Sequence, residues 1–300
     1  MTGYAPRDWR DRALALSSRL IAKPLMAMPL PWGVHRAAMK TVAAARRPPP
    51  KLDVDAVRLG PRAARIAAPP DPKVTALWFH GGGFTVGSPE THAHLTDTIA
   101  VEGVRIVAPS YRLAPEHPFP AGYEDCLAAA RALAAQGPFA LGGDSAGATL
   151  AASVLAQLLA DGTPPLRVAL IAPAGDFDPM RPDPDGADDL FLSRPLLERI
   201  ARAYAAGHDP RDPRLSPVFA EFPDCPPVLI HCSKGEILES DAEALAARFR
   251  AGGASVRIVK GHALPHAWHM AAGHAPAADA ALREVAAFLR GDRPGTDATP

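Results

Sequence analysis

The pentapeptide Gly143-Asp144-Ser145-Ala146-Gly147 stands where an apolar run gives way to an alanine-rich one. A serine hydroxyl is a weak nucleophile, so it must stand exposed on a tight turn where a base can take its proton. Small residues on both sides permit that turn, and a helix beginning directly behind it favours negative charge near its N-terminus. A second cluster, His80-Gly81-Gly82-Gly83-Phe84, closes another apolar run. Consecutive glycines let backbone N–H groups approach a reacting oxygen with no side chain in the way. The N–H groups of Gly82 and Gly83, with Gly81 adjacent, would join that of Ala146 in cradling the oxyanion of a tetrahedral intermediate. Neither a G-x-G-x-x-G nor a Gly-Lys-Ser/Thr pattern accompanies the loop, which argues against phosphate binding. The chemistry indicated is acyl transfer through a serine.

Acyl transfer also needs a base, and an acid to orient it. After the apolar run 228–232 come Glu236, Glu239 and Asp241; after the run 255–259 come His262, His266 and His269. Residue type and spacing leave all six open. Glu239 and Asp241 also suit the capping and solvation of a helix starting near Ser240, and His269 falls in the apolar start of a helix. His92 and His94 fall on a surface helix and are expected to be solvated. The histidines lack the closely spaced acidic or cysteine partners of a zinc site. Cys126, Cys225 and Cys232 form neither a disulfide framework nor a CxxC pair, so free thiols and a cytoplasmic location are expected.

The elements that would position these groups follow from the pattern of the 300 residues, of which 48 % are hydrophobic, enough for one large core. A formal net charge of zero gives no general attraction to nucleic acid or anionic lipid, although local patches remain open. The first twelve residues carry charges of both signs and lack the apolar core of a signal peptide. Residues 14–34 are fairly apolar, but Arg19, Lys23, Pro24, Pro29 and Pro31 interrupt them, which predicts a short amphipathic helix and a loop rather than a membrane span. The basic, proline-rich stretch 45–51 reads as a linker.

Beyond it, strands are expected at 74–79, 105–109, 139–142, 166–172, 228–232 and 255–259. Helices are expected at 88–101, 121–135, 146–160, 240–252 and 276–290. Such alternation implies a mostly parallel sheet with helices on both faces. The rhythm breaks at 176–217, rich in Asp and Pro around one helix at 194–206, which suggests a lid piece rather than a second domain. The expected division is an N-terminal helical piece at 1–51, a catalytic domain at 52–291 and a polar tail at 292–300.

Together with Pro109-Ser110-Tyr111-Arg112-Leu113-Ala114-Pro115-Glu116-His117-Pro118-Phe119-Pro120-Ala121, the two glycine motifs resemble those of the hormone-sensitive-lipase family of α/β-hydrolases, the bacterial family IV esterases. The resemblance spans about residues 74–290 and extends more loosely through the N-terminal piece. It implies an α/β-hydrolase fold with a helical cap built from the N-terminal piece and the 176–217 insertion. It also implies a serine carboxylesterase acting on short- to medium-chain esters through an acyl-enzyme. The partner is then a small-molecule ester, with no metal or organic cofactor and no nucleic-acid or membrane partner; dimers are a feature of such proteins. Matching the family pattern on Leu238 puts the acid at Glu236, where Asp is commoner, and the M-P-H-x-F/W-H pattern puts the base at His266.

Arg112 and Glu116 are expected to pair as scaffold, bracing the serine turn. Phe191, Leu196, Leu197 and Tyr204 are expected to make the pocket partly apolar. The contrasting reading is a catalytically silent, ligand-binding member of the same fold, of the kind plant gibberellin receptors represent. The joint presence of serine, acid and histidine favours the enzyme; a lipase or amidase is the alternative within enzymes.

Overall fold

Strands that are apolar at nearly every position, such as Val74–Phe79 and Val168–Ile171, can only sit where both faces of a sheet are covered. The computed structural model, which describes residues 3–44, 49, 51–178 and 187–292, places them at the centre of a nine-stranded sheet. The strands are β1 (Gly3–Tyr4), β2 (Asp53–Leu59), β3 (Arg62–Ala68), β4 (Val74–Phe79), β5 (Val104–Pro109), β6 (Ala140–Asp144), β7 (Val168–Ile171), β8 (Val228–Ser233) and β9 (Val256–Gly261). Their order is β1-β9-β8-β7-β6-β4-β5-β3-β2. All neighbours run parallel except β2 with β3 and β3 with β5.

Alternating side chains of the central strands feed two cores. Leu77 and Phe79 face one core, which also takes residues of α5 (Ala121–Ala134), α6 (Ala146–Ala160) and α8 (Glu239–Ala251). Ala76 and Trp78 face the other, closed by α4 (Ala93–Val101) and α9 (Pro276–Arg290). Before the sheet come α1 (Trp9–Ser17), a π-helical turn over Ser18–Ala22, α2 (Lys23–Ala27) and α3 (Trp32–Ala44); α7 (Arg194–Ala205) lies between β7 and β8.

The expected strands and helices of the sheet are all present, each within a few residues of its expected bounds. Three differences have physical causes. The antiparallel edge pair β2–β3 was not expected, because β2 reads DVDAVRL and is mostly solvent-exposed, as edge strands are. The short helix expected within 14–34 starts earlier, at Trp9, and continues through the π-helical turn into α2, because Pro24 falls in the first turn of α2, where its missing N–H costs nothing. The helix expected from residue 88 begins only at Ala93, since Ser88 and Thr91 bond to each other in a turn.

The linker expected at 45–51 and the tail at 292–300 lie almost wholly outside the described residues, as does part of the 176–217 insertion, at 179–186. No helix among the described residues is long and apolar enough to cross a membrane.

Candidate active site

Ser145 sits between the end of β6 and the start of α6 with φ 51° and ψ −120°, a left-handed conformation that costs a non-glycine residue on the order of 1–3 kcal/mol. Surrounding bonds hold it there: its N–H donates to the Ile171 carbonyl at 2.7 Å, and its carbonyl accepts from the Thr149 N–H at 3.1 Å. The flanking glycines are required by close approach. A Cβ on Gly143 would lie 2.4 Å from the Gly147 carbonyl oxygen, and one on Gly147 would lie 2.0 Å from that of Phe79.

The loops after β8 and β9 bring the other two groups to this turn. His266 Nε2 lies 2.9 Å from Ser145 Oγ, and its Nδ1 lies 2.7 Å from Glu236 Oε2. Glu236 is only 2 % exposed, and its second oxygen accepts the Ser233 N–H at 2.8 Å. Ser233 Oγ in turn donates to the Pro265 carbonyl at 2.9 Å, tying the acid loop to the histidine loop. Burial alone would lower the His266 pKa, but the adjacent Glu236 carboxylate outweighs it and leaves the imidazole raised above its ordinary value.

The competing residues are engaged elsewhere. Glu239 accepts from the Gly235 N–H and from Lys260 Nζ, both at 2.6 Å. Asp241 is buried and accepts the Gly175 N–H at 2.8 Å, so it fixes the loop after β7 instead of being solvated. His262 is exposed, and its backbone N–H donates to the Tyr4 carbonyl. His269 is fully buried, with its Nε2 2.9 Å from His231 Nδ1.

The glycine loop after β4 meets the serine turn through Asp144, which sequence reasoning did not single out. Asp144 Oδ1 accepts from Trp78 Nε1 and Oδ2 from the Gly81 N–H, each at 3.0 Å. The Gly81 N–H is therefore committed to this carboxylate and is not free to join the expected cradle. Those of Gly82, Gly83 and Ala146 have no partner among the described residues. The signal for Asp144 was a charged side chain at the end of an apolar strand; its partners lie more than fifty residues away in the chain.

His92, expected in solvent, is instead 3 % exposed, with Nε2 3.5 Å from Asp144 Oδ2. It stands directly before the late-starting α4, in the turn that holds Ser88 and Thr91, with Nδ1 2.9 Å from Thr91 Oγ1. Beside it, His80 stacks on Tyr111 with centroids 4.2 Å apart, and the Tyr111 hydroxyl donates to the His80 carbonyl at 2.8 Å. Burial, reinforced by His92, pushes the His80 pKa down to about 3, so its ring stays neutral at ordinary pH.

Arg112 and Glu116 do not pair. Arg112 holds Asp125, whose carboxylate accepts from its backbone N–H, Nε and Nη2, while Glu116 pairs with Arg36 of α3 at 2.7 Å. Each reaches a different element, Arg112 the helix α5 and Glu116 the helix α3, rather than the serine turn.

A cavity of about 960 Å³ opens beside Ser145 and His266. Leu14, Met26, Trp32 and Met39 of the N-terminal helices line it together with Leu196, Leu197 and Ile200 of α7. Phe191 also lines it and stacks on the His266 ring at 6.2 Å and 13°. Tyr204 does not: it is 2 % exposed and lies flat on Phe84 with centroids 3.8 Å apart, inside the core. On a helix crossing the cavity, Tyr204 falls on the side turned inward to the sheet.

Asp189, another buried carboxylate the sequence did not reveal, accepts the Ile237 N–H at 2.9 Å and those of Phe191 and Leu192. It joins the segment leading into α7 to the acid loop. The Arg199 guanidinium lies over the Trp32 ring at 3.7 Å and donates to the carbonyls of Met28 and Leu30, joining α7 to the N-terminal helices. No group of three or more His, Cys, Asp or Glu among the described residues is placed to hold a metal ion.

A serine on a strained strand-to-helix turn, with acid and histidine on later strand ends, defines the alpha/beta hydrolase fold, and the family model for that fold matches residues 76–270. The chain belongs to this family, within its hormone-sensitive-lipase branch. Among curated relatives, an acetyl-hydrolase of Streptomyces hygroscopicus is 37 % identical over 224 residues, 72 % of this chain and 75 % of that protein. The carboxylesterase/phospholipase LipF of Mycobacterium tuberculosis is 32 % identical over 310 residues, covering 93 % of this chain and 81 % of LipF. Among solved structures, an esterase of the bacterial hormone-sensitive lipase family matches with a TM-score of 0.86 at 28 % identity, covering 95 % of this chain and 99 % of that one. A hormone-sensitive lipase from a metagenome library gives 0.86 at 31 %, covering 97 % and 99 %.

Proposed function

We propose that this protein is a serine carboxylesterase in which Ser145 is the nucleophile, His266 the base and Glu236 the orienting acid. The observation that carries the reading is the relay itself: one imidazole nitrogen 2.9 Å from the serine oxygen and the other 2.7 Å from a buried carboxylate. His266 Nε2 takes the hydroxyl proton as Ser145 Oγ attacks the ester carbonyl carbon, and Glu236 stabilises the imidazolium that forms. The carbonyl oxygen becomes an oxyanion held by the N–H groups of Gly82, Gly83 and Ala146. His266 then passes its proton to the departing alcohol. Water, deprotonated by the same nitrogen, hydrolyses the acyl-serine and releases the acid. Each N–H of the cradle is worth roughly 10²–10³ in rate.

Relatives named acetyl-hydrolase and carboxylesterase support carboxylic esters as the substrate class. A largely apolar cavity of about 960 Å³ lies at the upper end of small-molecule sites and supports short- to medium-chain acyl groups. The N-terminal helices and α7 act as the cap that shapes it. Three buried free cysteines support a reducing, cytoplasmic setting, and pairing of two copies is the further expectation from the family. Turnover of p-nitrophenyl esters from acetate to palmitate tests the reading. Hydrolysis that peaks at short to medium chains and vanishes in Ser145→Ala supports it; an intact fold with no turnover on any of them overturns it.

A further inference from the structure

The helices that line the cavity also turn an unusual face to solvent. Among the described residues, eight of the twelve large hydrophobic side chains left exposed fall between Trp9 and Val34. Trp9 is 73 % exposed, Leu20 63 % and Ile21 66 %, with Leu16, Leu25 and Val34 about half exposed. The segment is not loosely placed: buried Asp11 of α1 accepts the Ala277 N–H of α9 at 3.1 Å.

A cationic excess overlaps this stretch: beyond Asp8 and Asp11, residues 12–52 contain eight Lys or Arg and no Asp or Glu in a chain of zero net charge, with Arg19 paired to Asp188 and Arg36 to Glu116. Arg12 and Lys40 are exposed and have no ion pair among the described residues. Exposed aliphatic and indole side chains set among unpaired cations are the composition of helices that lie in a lipid–water boundary. A second copy of the chain fits this face less well, because a two-fold pairing would set each cationic patch against its own charge.

We propose that the N-terminal helices dock this protein peripherally on an anionic lipid surface. The aliphatic side chains and Trp9 enter the headgroup boundary while Arg12 and Lys40 meet lipid phosphates. Leu14, Met26 and Trp32 of the same helices line the cavity, so a docked surface lies about one helix diameter from it, roughly 10 Å. Amphiphilic esters would then reach Ser145 from the surface, a consequence that rests on the esterase reading, whereas docking itself does not.

Flotation of Ser145→Ala protein with phosphatidylglycerol-containing vesicles, and with pure phosphatidylcholine vesicles, measures docking separately from catalysis. Flotation with the anionic vesicles alone is expected, weakening with salt and by roughly fivefold for each cation removed. The double substitution L20E/I21E should abolish it while p-nitrophenyl butyrate hydrolysis in the Ser145 background is unchanged. Should that pair misfold, R12E/K40E supplies the same comparison through charge. Absence of flotation, equal flotation with both vesicles, or a dimer in light scattering that L20E/I21E dissociates would each overturn the proposal.

Discussion

The Asp144 carboxylate accepts the Gly81 N–H at 3.0 Å from the position directly before Ser145, so one side chain locks the glycine loop to the nucleophile turn. Its other oxygen is held by Trp78 Nε1 at 3.0 Å. The distance between the attacking oxygen and the Gly82 and Gly83 donors therefore depends on a residue with no chemical part in the reaction. In Asp144→Ala, two buried donors lose their acceptor at about 1–3 kcal/mol each. The melting midpoint should fall and kcat should drop more than KM changes. Asp144→Asn keeps one acceptor oxygen and should fall between the two in both calorimetry and steady-state kinetics.

Ser145→Ala should lower kcat by about 10⁴–10⁶ while leaving the far-UV circular dichroism and the melting curve near wild type. Alanine has no better access to φ 51° than serine, so neither relief of strain nor new strain is expected.

The pH profile follows from the raised His266 pKa. The base must be neutral, so activity is lost as pH falls through the folded-state value, which lies above that of an ordinary imidazole. Glu236→Gln removes the charge that raises it, and burial then dominates. The acid limb of kcat/KM should move to lower pH, with a loss of roughly 10⁴ in kcat because the Gln amide can donate to Nδ1 and hold the ring in the wrong tautomer.

Gly82→Ala tests the cradle. Gly82 has φ +108°, and an added Cβ would lie 2.3 Å from the Val86 carbonyl oxygen, so the loop must shift and carry its N–H away. A kcat loss of about 10²–10³ is expected, read in steady-state kinetics with the melting curve as control.

Trp32→Ala removes an indole that lines the cavity and carries Arg199 on its face at 3.7 Å. KM for octanoate esters should rise roughly tenfold as apolar contact is lost. Acetate esters, too short to reach beyond the serine, should be hydrolysed as before.

What could be read from the sequence was whatever is local. Ser145 and the Gly82–Gly83 loop announce themselves because tight turns demand particular residues at fixed spacing. Central strands announce themselves because burial on both faces leaves no polar position. Glu236 and His266 needed the resemblance as well, since Glu239, Asp241 and His269 suit the chemistry equally by type. Asp144, Asp189 and His92 stayed hidden because their partners lie across the fold: a carboxylate that ties two loops looks, in the chain, like one that faces water. Tyr204 misled for the same reason, because an aromatic residue on a helix over the cavity can face either way and this one packs on Phe84.

Covalent capture at Ser145 tests the nucleophile most directly. Protein treated with an aryl fluorophosphonate and digested should carry the added mass on the peptide containing Ser145. His266→Ala protein, its relay broken, should react far more slowly. An adduct on another serine, or esterase activity that persists while Ser145 stays unmodified, would contradict it.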